Sequence, residues 1–131
     1  MSKPKSPDEI LQEEFLRERA EVLGRAGTRV LESLNTLRRI EEEIAAIEDR
    51  CEALAPLRTL DAMGDGESRT QRVGLRREIE AQIRRYNRVR EEAKLRYYYL
   101  IVTREALGLR RHHWVEAAYR IPPKKAAPQD G

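Results

Sequence analysis

Apolar residues recur every seven positions through the first part of the chain, at Leu16, Leu23, Val30, Leu37, Ile44 and Cys51. From Leu37 onward the companion position is apolar as well, at Ile40, Ile47 and Leu54. Two apolar positions per seven residues form a coiled-coil seam, so Leu37, Ile40, Ile44, Ile47, Cys51 and Leu54 are expected on one face of a long helix. Upstream, Arg19, Ala26 and Ser33 fill the companion position. Gly24 and Gly27 weaken the helix there and mark either a kink or a close approach by another backbone. The start is well signalled. Ser6 is an N-cap, Pro7 takes N1, and Glu9 at N3 completes a capping box. Helix 1 is predicted over about residues 7–55.

Pro56 cannot continue a helix, and Gly64-Asp65-Gly66 is a turn signal, so residues 56–68 are predicted as a loop. Ser68 and Gln71 form a second capping box. The stripe Leu75, Ile79, Ile83, Tyr86, Val89, Ala93, Tyr97, Leu100, Thr103, Leu107 keeps close to the helical period, giving helix 2 over about residues 69–107. Gly108 is a natural C′ residue. A short third helix is predicted over about residues 111–119, with Trp114, Ala118 and Ile121 on one face and Pro122-Pro123 as its stop. Residues 1–5 read as a flexible tail and 122–131 as a disordered one. Residues 6–121 then form a single helical-hairpin domain. The expected class is all-α: a long antiparallel, coiled-coil-like hairpin with a short C-terminal third helix, completed by oligomerisation. At about 1.5 Å per residue the long helices would measure roughly 70 and 60 Å.

Oligomerisation is expected because two helices sharing one seam bury one stripe each. Tyr98, Tyr99, Ile101 and Val102 lie off the main stripe of helix 2. Six of the seven aromatics sit at or after Tyr86, and Tyr and Trp are enriched at interface hot spots. Tyr98, Tyr99, Ile101, Val102, Trp114 and Tyr119 are therefore the expected partner surface. A homo-oligomer is favoured, a dimer first, or a subunit of a larger assembly.

Composition narrows the class further. The 131 residues are 37% charged and 40% apolar, with mean hydropathy −0.76. The longest apolar run, Tyr97 to Val102, is far too short to span a bilayer, so no integral membrane insertion is expected. Net charge is +3, but residues 1–67 carry 10 Lys/Arg against 16 Asp/Glu, a net of −6, while residues 68–131 carry 16 against 7, a net of +9. Arg69, Arg72, Arg76, Arg77, Arg84, Arg85, Arg88 and Arg90 crowd into 22 residues. In an antiparallel hairpin they face Glu41-Glu42-Glu43, Glu48, Asp49 and Glu52, and mutual pairing is the preferred reading. The alternative is nucleic-acid binding, with Arg77, Arg84, Arg85 and Arg88 neutralising phosphates.

Little in the chain suggests catalysis. Cys51 is the single cysteine, so an intrachain disulfide and a CxxC metal site are excluded. His112-His113 with Glu116 falls short of the three or four ligands a metal needs. Gly64-x-Gly66 is too short for a phosphate loop. A thin hairpin offers no pocket to perturb Glu41-Glu42-Glu43 or Glu91-Glu92 into an acid–base pair. No enzyme activity, cofactor or metal is expected. The polar first residues lack an apolar signal core, which places the chain in the cytoplasm by default. Asp61, Asp65 and Glu67 at the hairpin tip make the outline similar to transcription factors that insert an acidic coiled-coil tip into the secondary channel of RNA polymerase. That resemblance covers the hairpin alone.

Overall fold

The computed structural model describes residues 3–54 and 66–126. The protein is all-α: α1 spans Pro7–Ala53, α2 spans Gly66–Ala106, and the short α3 spans His113–Ala118. Most of the expected loop, with Pro56, Asp61, Gly64 and Asp65, lies outside the described residues. No described helix is long and apolar enough to cross a membrane.

The N-terminus of α1 follows its local chemistry. The Glu9 N–H donates to Ser6 Oγ at 3.3 Å, and the Ser6 N–H donates back to the Glu9 carboxylate at 3.4 Å, with Pro7 at the first helical position. α1 then runs unbroken through Gly24 and Gly27. Of the two readings of these glycines, the structure shows the close approach, made at Gly27 by a side chain and not by a backbone. A Cβ placed there would sit 2.7 Å from the Tyr119 hydroxyl.

α2 is already helical at Gly66, the first described residue after residue 54, and the Thr70 hydroxyl donates back to Gly66 O at 2.7 Å. Ser68, expected at the N-cap, therefore lies within the helix. The far end closes as Gly108 implies. Gly108 takes φ +88°, its N–H reaches Glu105 O at 3.0 Å, and the Leu109 N–H reaches Arg104 O at 2.8 Å. This is the Schellman arrangement that satisfies the last carbonyls. α1 adds a donor, since Arg19 Nη2 meets Leu107 O at 2.6 Å.

The two long helices pack antiparallel along the expected seam. Leu37, Ile40, Ile44, Ile83, Tyr86 and Ala93 form one buried cluster, with Leu34, Ile79 and Val89 against it. Val30, Leu100 and Val115 form a second, flanked by Leu23, Ala26, Tyr97 and Ile101. Cross-helix ion pairs edge the seam at Arg85–Glu43 (3.4 Å), Arg50–Glu78 (3.9 Å) and Arg96–Glu32 (3.6 Å). Exposed pairs of this kind contribute about 0–1 kcal/mol each, whereas burying one Leu or Ile side chain contributes about 1.5–3 kcal/mol. The apolar seam thus holds the hairpin together, and the acidic and basic halves mainly agree with its register.

The C-terminal segment departs from expectation twice. α3 buries Val115, and Trp114 faces solvent with 76% of its surface exposed. A six-residue helix touches its neighbour with a single turn, so one apolar residue suffices to set its face. Residues 122–125, expected to be disordered, lie as a strap along the hairpin. Ile121 packs on the Leu37 cluster. Arg90 Nε donates to Pro122 O at 2.7 Å. The Asn87 side-chain amide donates to Lys125 O and its carbonyl accepts the Lys125 N–H, both at 2.9 Å. Two reciprocal bonds to one backbone residue, plus an apolar anchor, outweigh the flexibility that Pro122-Pro123 and Lys124-Lys125 imply locally.

Candidate interaction surface

Residues 95–103 of α2 are apolar on most sides, and the structure covers part of that surface. α1 takes one side through Val30 and Leu100. α3 takes another, where Tyr97, Ile101 and Tyr119 pack around Val115. Burial, and next to it the Glu116 carboxylate, pushes the Tyr97 phenol above its ordinary pKa. Ile101 and Tyr119 are thereby partly buried inside the hairpin. Of the six residues expected on the partner surface, Tyr98, Tyr99, Val102 and Trp114 face solvent, with Tyr98 61% and Tyr99 58% exposed.

Exposed Leu95 joins them. Leu95, Tyr99 and Val102 keep i, i+4, i+7 spacing, so they form one stripe. Extending the Tyr99–Val102 pair back by one turn finds Leu95 from sequence alone. Tyr98 leans against Tyr99, with ring centroids 6.2 Å apart. Beside the stripe an open groove of about 570 Å³ runs between α2 and α1. Leu95, Tyr99 and Thr103 of α2 and Val22 and Ala26 of α1 line it, together with Arg25, Arg29, Glu92 and Arg96. The periodicity of α1 gave no sign of this groove, because Val22 lies off the seven-residue repeat.

The basic residues divide by role. Arg85 pairs with Glu43, Arg90 holds the strap, and Arg96 bridges Glu32 and Glu92 while donating to Arg29 O. Arg77, Arg84 and Arg88 are exposed and make no ion pair with any described residue. Their spacing continues through Leu95 and Tyr99, so one long face of α2 is basic at its start and apolar at its end. A second arginine-lined cleft, of about 590 Å³, opens beside Trp114, between Arg104, Arg110, Arg111 and His113.

The histidine pair serves structure on one side. His112 Nδ1 accepts Arg104 Nε at 3.2 Å, so Nε2 carries the proton and donates to Glu105 at 3.1 Å. His113 is exposed and tilts against Trp114, with ring centroids 5.1 Å apart. Among the described residues no three His, Cys, Asp or Glu side chains group as cation ligands. Comparison with family models, curated proteins and solved structures finds no match to this chain.

Proposed function

We propose that this protein is a non-enzymatic assembly element, a helical hairpin that acts as scaffold or adaptor through the apolar stripe of α2. One observation carries the reading. Leu95, Tyr98, Tyr99 and Val102 stay exposed although α1 and α3 cover Tyr97, Leu100 and Ile101 of the same stretch of α2. Among the described residues no further element covers this patch, and a contiguous aromatic patch on a protein this polar supports an interface. Replacing Tyr98 and Val102 together with Ser should lower the solution mass measured by light scattering and leave the helical circular dichroism intact, since neither side chain belongs to the core. An unchanged mass would sink the proposal.

A second reading is favoured by the three unpaired arginines. A nucleic acid lying along the basic start of the α2 face would be held by Arg77, Arg84 and Arg88. Binding of a duplex oligonucleotide, followed by anisotropy, should then weaken steeply with salt, and the Arg84→Ala, Arg88→Ala double variant should flatten the salt slope by about two. Salt-independent binding, or none, rejects this reading and leaves assembly standing.

A further inference from the structure

α1 outreaches α2. Arg19 already meets the last carbonyl of the α2 cap at Leu107. Residues 7–18 therefore pass beyond the hairpin as an overhang of about 18 Å. Every residue of this overhang is exposed, yet it is not polar all round. Leu11 is 62% exposed and Phe15 57%. With Val22 they share one helical stripe, which leads into the groove beside Tyr99. The overhang is also acidic, with five Asp/Glu against one Arg over residues 7–18. The groove it leads to is lined by Arg25 and Arg29, neither of which forms an ion pair with a described residue, beside the mutually paired Arg96 and Glu92.

We infer that a second copy of this chain covers this face, its α1 lying antiparallel on the first. An inverted copy centred between Glu18 and Arg19 puts Phe15 opposite Val22, Leu11 opposite Ala26 and Asp8 opposite Arg29. Glu18 then falls opposite Arg19, and Gln12 and Glu14 fall within a turn of Arg25. Apolar meets apolar at Phe15–Val22 and Leu11–Ala26, acid meets base at Asp8–Arg29 and Glu18–Arg19, and the match reads the same from both chains, as a two-fold interface requires. Each overhang thus finds the apolar wall that its own α2 is too short to provide. It lies in the partner's groove, against the partner's Tyr99. Charge complementarity selects a second copy over an unrelated apolar partner, because the acids and the free arginines sit on the same helix in matching register. The inference rests on the assembly reading and names its partner.

The test is the solution mass of the full chain at low and high salt, for the wild type and four variants. The wild type should have twice the 15.3 kDa chain mass at both salts. Phe15→Glu should run as a monomer with unchanged helix content. Arg29→Asp should raise the dimer dissociation constant about tenfold, and Asp8→Arg in the same chain should restore it. A monomeric wild type overturns the inference. So does a dimer indifferent to Arg29→Asp, or one that the swapped pair fails to restore. A dimer that survives Phe15→Glu but is lost in the Tyr98→Ser, Val102→Ser variant overturns this geometry and leaves the assembly proposal intact. A dimer that survives all of these variants overturns both.

Discussion

Replacing Tyr86 with alanine is expected to cost about 4 kcal/mol, the upper part of the range for large-to-small changes in a core. Tyr86 is buried between the long helices within the Leu37 cluster. Its hydroxyl donates to Glu41 Oε1 at 3.0 Å, and Lys125 Nζ lies 4.9 Å from its ring centroid. The substitution therefore opens a cavity, leaves the Glu41 carboxylate without its donor and weakens the strap in one step. Tyr86→Phe separates these effects and adds a pH signature. Burial first, then the hydrogen bond to Glu41 and its negative charge, push the phenol from 10 up to about 12. The neutral form is the one the fold prefers. That contribution is complete below pH 10 and is lost as pH rises from 10 toward 12, where the unfolded chain ionises first. Two pKa units correspond to at most about 3 kcal/mol. Urea denaturation of wild type and Tyr86→Phe at pH 8 and pH 11.5 should show a larger alkaline loss in the wild type. Equal losses would mean that the phenol is not held neutral.

Gly27→Leu is expected to release the C-terminal segment while sparing the hairpin. A Cβ at residue 27 already reaches 2.7 Å from the Tyr119 hydroxyl, and a leucine side chain extends well beyond it. Tyr119 must leave, and with it the packing of α3 on Val30 and Leu100. Leucine is a better helix former than glycine by somewhat under 1 kcal/mol, so α1 itself gains. Amide exchange at Val115 to Tyr119 should accelerate at least about tenfold, since local opening sets protection there. Trypsin should gain access to Arg120, Lys124 and Lys125. Protection around Ile40 and Ile83 should not change. Unaltered exchange at Tyr119 would show that α3 does not depend on the space glycine leaves.

What could be read ahead of the structure followed from local periodicity. Leu37, Ile40, Ile44 and Ile47 repeat at the spacing that brings one helix face to a partner, and Ile79, Ile83 and Tyr86 answer them across the seam. Ser6-Pro7-Asp8-Glu9 and Gly108 carry their capping chemistry in themselves. The third helix was misread because a single turn has no period to measure, and Val115 and Trp114 are both apolar. The strap left no local trace. Asn87 reads as an ordinary helix-surface residue until its amide is seen to pair with a backbone 38 positions away. Gly27 stood out as anomalous, but only the fold supplies Tyr119 as the reason. On the surface, the aromatic run announced itself. The division between Tyr98 and Tyr99 facing solvent and Ile101 facing α3 depended on where α3 docks.

The strap turns the molecule into a ruler. Lys125 is pinned beside Glu41, its Nζ 3.9 Å from the carboxylate, while Ser6 caps the distal end of the same helix. From residue 6 to residue 41 a helix advances about 50 Å. While the Asn87 clamp holds, the first cap and Lys125 stand that far apart, at a distance set by one helical rod.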